Sequence, residues 1–201
     1  QGCGQNWNQN GGKARSKGID LQVDYRPVEN VTLNLSLGTT DAKYSEAVLG
    51  PKPTVAGVAQ AVTFNKNDPL GVPDFQGNVG ARFDFSLLSR KSYARLDYLY
   101  TGAYTRGSSY GTGNYNPFTR EVGAIGQING RLGVQVEKWD LSLYAQNLTN
   151  SRKEVGNAGN GRGGCSLTAG ADCSTYTLWS PFVSQTLQKP RVVGLQANYK
   201  F

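Results

Sequence analysis

The sequence contains no histidine and no methionine, only three cysteines and eight prolines in 201 residues. Without imidazole there is no Ser-His or Cys-His nucleophile pair, no histidine general base and no imidazole ligand for zinc. Three cysteines with no histidine lack the ligand number and spacing of a metal centre. An enzyme is therefore not expected, and neither is a cofactor. No stretch approaches the roughly 18 consecutive apolar residues of a membrane-crossing helix, and helical periodicity is almost absent. The opening QGCGQNWNQNGG has no basic segment followed by an apolar one, so no signal peptide is visible there.

What is present is alternation. Hydrophobic residues make up 38% of the chain, too many for a disordered segment, and they recur with period two. Along 19–26, Ile19, Leu21, Val23 and Tyr25 alternate with Asp20, Gln22, Asp24 and Arg26. After a turn at 27–30, Val31, Leu33, Leu35 and Leu37 oppose Thr32, Asn34 and Ser36. A third strand covers 75–85, with Phe75, Val79, Ala81, Phe83 and Phe85 on one face and Gln76, Asn78, Arg82 and Asp84 on the other. The fourth sets Ala94, Leu96, Tyr98 and Tyr100 against Arg95, Asp97 and Thr101. The fifth sets Ile128, Leu132, Val134 and Val136 against Asn129, Arg131, Gln135 and Glu137, and the sixth follows with Trp139, Leu141, Leu143 and Ala145. The seventh places Val193, Leu195, Ala197, Tyr199 and Phe201 together. No apolar face carries a charge. Any one strand could belong to a soluble half-buried sheet.

The connections separate those possibilities. Short turns at 27–30, 86–91 and 137–138 alternate with long segments at 45–74, 105–122 and from 147 to 189. Short turns at one end and long loops at the other are the plan of a bacterial outer-membrane barrel, with an apolar band toward lipid and a polar face toward the lumen. Aromatics fall at both ends, as an interfacial belt requires. Tyr25, Phe83, Phe85, Tyr93, Trp139, Tyr199 and Phe201 lie at the short-turn end, and Phe75, Tyr100 and Tyr104 near the long loops. The expected fold class is all-β, an antiparallel transmembrane β-barrel. Seven strands are odd, whereas single-chain bacterial barrels use an even number. An open sheet in lipid would leave edges unsatisfied. The chain, 1–201, is therefore expected to be the C-terminal part of a larger barrel domain, with its last residue on the periplasmic side.

Four segments carry a family resemblance. QINGRLGV at 127–134 and WDLSLYAQNLTN at 139–150, the final KPRVVGLQANYKF at 189–201, and RSKGIDL at 15–21 resemble the late barrel strands of TonB-dependent outer-membrane receptors. Thr149 stands where that family often has an aromatic, and Asn150 where it often has Asp. The resemblance implies a 22-stranded barrel filled by an N-terminal plug that this chain lacks. It also implies active import of a scarce extracellular ligand, such as siderophore-bound iron, cobalamin, another chelate or an oligosaccharide. Energy would come from the TonB–ExbB–ExbD complex. A passive porin is the first competing reading. A soluble all-β binding module is the second, and an adhesin or autotransporter barrel a lesser one.

Particular residues follow from this reading. Phe201, preceded at alternate positions by Tyr199, Ala197, Leu195 and Val193, matches the terminal pattern by which outer-membrane proteins are recognised by the barrel assembly machinery. Cys165 and Cys173 bracket a short Gly-rich stretch in the longest loop, where a disulfide would limit chain freedom in an oxidising compartment; two free thiols are the alternative. Cys3 would pair upstream. Lys13, Arg15 and Lys17, with Lys189 and Arg191, are expected to meet phosphates of the lipopolysaccharide leaflet. The net charge is +7, from 21 Lys+Arg and 14 Asp+Glu, but it forms no basic helix or aromatic-basic platform, so no nucleic-acid partner is expected. Mixed charges at Asp20, Asp24, Arg82, Asp84, Arg95, Asp97, Arg131 and Asp140, on the lumen-facing side, favour cross-strand pairing over ligand contact. Ligand contact falls to the loops, at 104–118 and 176–182. Gly159, Gly161 and Gly164 match a dinucleotide-loop spacing with no helix to follow, and Ser109 sits in a G-x-S-x-G stretch without a base. Three N-glycosylation sequons, at Asn30, Asn34 and Asn147, are incidental in a bacterial protein.

Overall fold

A computed structural model describes residues 12–50, 60–107, 109, 112, 115, 121–159, 163–165, 176–178 and 183–201. Seven long strands form one antiparallel meander: β1 (Ala14–Val28), β2 (Val31–Tyr44), β3 (Phe75–Leu87), β4 (Arg90–Thr101), β5 (Ile125–Val136), β6 (Trp139–Gln146) and β7 (Val192–Tyr199). They stand side by side in chain order. No helix is found among the described residues.

Register joins the separate alternations into one surface. Val23 pairs with Leu35, Leu35 with Val79, Val79 with Tyr98 and Tyr98 with Ile128. Further along, Leu132 pairs with Leu143 and Leu143 with Leu195. Antiparallel partners share a face, so all seven apolar rows coincide. That face is uncovered: Ile19 is 75% exposed, Leu132 56% and Leu195 83%. Among the described residues only Ala42, Val48 and Val122 are buried hydrophobics. A soluble module would bury such a face in a core, whereas a contiguous uncharged surface of this extent fits lipid.

Short turns lie at one end. Leu88 and Ser89 close β3 to β4 at φ 50° and 60°, the left-handed pair that matches strand twist in a two-residue hairpin. Between β1 and β2 a bulge falls between the Tyr25 and Val28 pairings. At the opposite end the strands run past the apolar band. β1 begins at Ala14 and β2 reaches Tyr44, several residues beyond the alternation that reveals them in sequence, because a hairpin ladder continues into water without needing apolar residues. Four two-stranded ladders extend the long connections, pairing Val48–Leu49 with Val62–Phe64, Tyr104–Thr105 with Glu121–Val122, Glu154–Gly159 with Val183–Leu187, and Gly163–Cys165 with Tyr176–Leu178.

The belt expectation holds with one correction. Trp139 and Tyr199 meet at 4.9 Å between ring centroids, Tyr199 and Phe201 at 5.2 Å edge-on, and Phe83 stacks on Phe85 at 5.7 Å. Phe75 and Tyr100 meet at 5.8 Å near the long loops. Tyr93 is different. It pairs with Asp84 and Gly133 on the polar face, so it belongs to the inner wall.

A charge on the two faces should therefore have opposite consequences. In the full-length protein unfolded reversibly from lipid vesicles, Val79→Arg on the apolar face is expected to cost about 2–4 kcal/mol. Gln22→Arg on the polar face should cost well under half of that. Equal losses would refute the assignment of faces.

Candidate functional site

The polar face is a cross-strand lattice. One row runs Arg82–Arg95–Arg131, three arginines directly opposite one another on β3, β4 and β5. Like charges in that arrangement repel, and two of them are neutralised within their own strands. Arg82 donates through Nε and Nη2 to Asp84 Oδ1 at 2.9 and 2.8 Å. Arg95 donates through Nε to Asp97 Oδ2 at 2.8 Å and through Nη2 to Oδ1 at 2.8 Å. Two-residue spacing puts each acid on the same face as its arginine.

Arg131 is served by neutral groups. Its Nη1 donates to Gln196 Oε1 at 2.9 Å and lies 3.4 Å from Ser142 Oγ, while the guanidinium stands 5.7 Å from the Tyr144 ring centroid. It forms no ion pair with a described carboxylate. Arg82 also sits over Tyr93, 4.2 Å from the ring centroid. Tyr93 in turn lies across Gly133, where any Cβ would collide with the ring, a glycine that leaves space for an aromatic on the neighbouring strand. The Asn34 amide donates to Asp24 Oδ1, and Gln127 Nε2 donates to Asn129 Oδ1 at 2.8 Å. Asp20 and Asp140 make no ion pair with a described residue, and Asp140 Oδ1 and Asn78 Oδ1 are buried without a described donor.

Two concavities open on this face. One of about 800 Å³ lies at the short-turn end between Arg26, Asp84, Lys91, Tyr93, Asp140 and Lys200. The other, about 380 Å³, lies toward the long loops among Asp20, Gln22, Ser36, Gln76, Asn78 and Thr101. The most apolar hollow, about 540 Å³ among Ala81, Phe83, Ala94, Leu132 and Leu143, is on the opposite, lipid-type face, so it is no lumenal binding site.

Above the wall, the long connections are tied to one another. Asp68, 4% exposed, accepts hydrogen bonds from the Asn65 N–H at 2.8 Å, from the Ser109 N–H at 3.2 Å and from Ser109 Oγ. Thr112 Oγ1 donates to the Ser109 carbonyl at 2.8 Å. Ser109 therefore clasps the second long connection to the first through Asp68. Tyr104 Oη donates to the Val155 carbonyl at 3.0 Å, joining the second long connection to the third. These ties were not legible in the sequence, because a single Asp in a polar loop carries no periodicity.

The NLTN turn at 147–150 is the tightest knot. Asn147 is 2% exposed, in the left-handed region at φ 51°. Its Nδ2 donates to the carbonyls of Ser151 and Lys189, each at 2.8 Å, and its Oδ1 accepts from the Ser151 N–H at 3.0 Å. Its own N–H donates to Asn129 Oδ1 at 3.0 Å. Asn150 Oδ1 accepts from the Arg191 N–H at 3.0 Å, so an amide oxygen suffices where the resembled family often has a carboxylate. Arg191 Nη1 donates to the Leu148 carbonyl at 3.3 Å. Cys3 and Cys173 lie outside the described residues, and of Cys165 only the backbone pairing with Tyr176 is described. The same holds for most of the loop segments 104–118 and 176–182. Asn147→Ala should remove three good hydrogen bonds and impose a left-handed alanine, costing about 3 kcal/mol. The check is the urea midpoint of the full-length protein, and an unchanged midpoint would contradict the knot.

Comparison with known proteins gives a consistent picture. A family model described as TonB dependent receptor-like, beta-barrel matches residues 1–148. No curated protein sequence matches the chain. Among solved structures, the ferric yersiniabactin uptake receptor FyuA from Yersinia pestis is similar, with TM-score 0.63 and 16% identity. The match covers 96% of this chain and 24% of that receptor, so the chain spans about a quarter of its length.

Proposed function

Because this chain belongs to the TonB-dependent receptor family and forms part of its outer-membrane β-barrel, we propose that the whole protein imports a scarce extracellular ligand with energy delivered through TonB. ExbB and ExbD would complete that energising complex, acting on a part of the protein outside the present sequence. The observation that carries this reading is the family match over 1–148. The wall geometry supports it. Its arginines are largely neutralised along their own strands, which suits a lumen packed against protein better than an open pore that selects ions by a charged ring. Tied loops over a rigid barrel give a place where a ligand first lands.

Metal chelates of the siderophore type come first among ligand classes, followed by cobalamin, other chelates and oligosaccharides. The similar solved structure is named as a ferric yersiniabactin uptake receptor, and that name only orders the panel. Uptake should be saturable and should fall to background when TonB is deleted or the proton gradient is collapsed. The measurement is radiolabelled ligand uptake in a strain lacking other receptors, run across ferric siderophores, cobalamin and oligosaccharides. Uptake that never saturates and ignores TonB would establish the porin reading instead.

The outward row Val193, Leu195, Ala197, Tyr199 and Phe201 serves, in this proposal, as the segment read by the assembly machinery. Phe201 is fully exposed and leans edge-on against Tyr199, as an accessible recognition element would. The C-terminus lies at the short-turn, periplasmic end. Phe201→Ala should lower the amount of folded protein in the outer membrane several-fold, read by heat-modifiable mobility of membrane fractions. Refolding of the purified variant into lipid should remain unaffected. Normal membrane levels would remove this role.

A further inference from the structure

Side chains of a strand ordinarily stand roughly perpendicular to the sheet. Large residues of the apolar face do so and remain exposed, Leu132 and Leu143 among them. Tyr93 and Tyr144 on the polar face behave differently. Both are half-buried, because each ring lies down over a glycine of the next strand. A Cβ added to Gly194 would stand 2.5 Å from Tyr144 Oη and 2.6 Å from its Cζ, and one added to Gly133 would collide with the Tyr93 ring. Gly80 is covered in the same way by the Arg95–Asp97 pair, where a Cβ would stand 2.6 Å from Asp97 Oδ1 and 3.4 Å from Arg95 Nη2. Tyr98 meets Gly126 on the apolar face, yet stays 44% exposed there.

The three glycines fall in adjoining rows of the lumenal wall. One row runs Arg82, Arg95, Arg131, Tyr144 and Gly194 from β3 to β7. The next toward the short turns runs Asp84, Tyr93, Gly133, Ser142 and Gln196. Gly80 and Asp97 pair in the row on the other side. The long side chains of these rows reach sideways. Arg82 bonds Asp84 and lies 4.2 Å from the Tyr93 ring centroid, Arg95 bonds Asp97, and Arg131 reaches Gln196 at 2.9 Å. The result is a band five strands across, about 19 Å at roughly 4.8 Å per strand spacing. Guanidinium and carboxylate groups there spend their hydrogen bonds within the wall, and the phenol rings lie flat. Glycine inside a strand weakens it and often marks a place where a ligand comes close, so three in adjoining rows keep a space at some expense of sheet stability.

We propose that this flattened band is the side of the lumen past which the transported ligand moves, and that Gly80, Gly133 and Gly194 are positioning residues for transport. Their missing side chains let Tyr93, Tyr144 and the Arg95–Asp97 pair lie against the wall instead of projecting into the passage. The proposal rests on the transport reading above. A wall that captured the ligand would present projecting aromatics and donors left free to bind it. This one lays its rings down and turns its arginines onto its own acids and amides, which lowers both the obstruction and the hold on anything that passes. Capture remains with the loops, so the band sets the rate of passage and leaves affinity alone.

The test uses the full-length protein in a strain lacking other receptors, with the radiolabelled ferric siderophores, cobalamin and oligosaccharides as probes. Binding to de-energised cells and maximal uptake per folded receptor are measured separately. G133A drives the Tyr93 ring off the wall, so maximal uptake should fall several-fold while binding affinity stays native. Y93A removes the ring and leaves Arg82 its bond to Asp84, so it should transport normally. G133A/Y93A should recover normal uptake, since no ring is left to displace. A joint that merely stiffens the sheet would make Y93A as harmful as G133A and leave the double variant unrescued, and either result overturns the proposal. Native uptake by G133A, or an equal loss of binding and uptake, overturns it too. Heat-modifiable mobility reports assembly, and should G133A not assemble, G194A with Y144A carries the same comparison. A native protein that imports no probe through TonB removes the transport reading and this proposal with it, whereas import by the native protein matched by G133A removes this proposal alone.

Discussion

The structure depends on phase. In hydrocarbon no water is present to satisfy a backbone N–H or C=O, so every strand must pair with its neighbour. Each strand must also show the same face to lipid as the strand beside it. Antiparallel partners share a face, so the pairing sum of residue numbers decides whether apolar meets apolar or apolar meets polar. At the two-residue turns after β3 and β5 the paired numbers have opposite parity. The apolar residues switch accordingly, from odd Phe83 to even Ala94 and from even Val136 to odd Trp139. β1 and β2 are the exception, since Leu21 and Leu37 are both odd. Their turn pairs Val28 with Val31, and that register, continued unchanged, would set every apolar residue against a polar one. The bulge between the Tyr25 and Val28 pairings shifts the register by one and restores the lipid face. It is a requirement of the pattern, placed in the first turn where its irregular backbone lies near water.

That reasoning also marks what could be read in advance. Strand existence, order and faces were legible, because seven uncharged alternating rows leave no other phase. Strand ends were not. From Ala14 to Gly18 and from Thr40 to Tyr44 the ladder continues among polar residues, where alternation has no lipid to report on. The partner of Arg15 was hidden for the same reason. Without the bulge a count from the turn places Tyr44 opposite it, and Lys43, its actual partner, falls on the other face. Tyr93 was assigned by height alone, although its odd number places it with Arg95 and Asp97 on the inner wall.

The candidate site divides along similar lines. The arginines and aspartates of the wall were visible as lumen-facing charges. Their described ion pairs run along strands and not across them as expected, because an acid two residues away reaches its arginine without depending on a neighbouring strand. Asn147 was visible only as part of a resembled motif. Its physical role is to end β6 in a left-handed turn while its amide ties that turn to Ser151 and Lys189. Only a residue with a short amide both tolerates that backbone and bridges two carbonyls. The clasp between Asp68 and Ser109 had no comparable signal, since it joins two loops 41 residues apart.

The arginine row shows how these constraints compete at one place. β3 reads Arg82-x-Asp84 and β4 reads Arg95-x-Asp97, whereas β5 reads Arg131-x-Gly133. An aspartate at 133 would complete the series, yet that position must be empty of side chain because the Tyr93 ring lies across it. Tyr93 in turn carries Arg82 over its face. The space that lets one arginine stack on an aromatic is thus the space that deprives another of its carboxylate. Arg131 resolves this by reaching across β6 to Gln196 on β7. The cation that its own strand leaves without an acid thereby spans three strands of the wall through neutral partners.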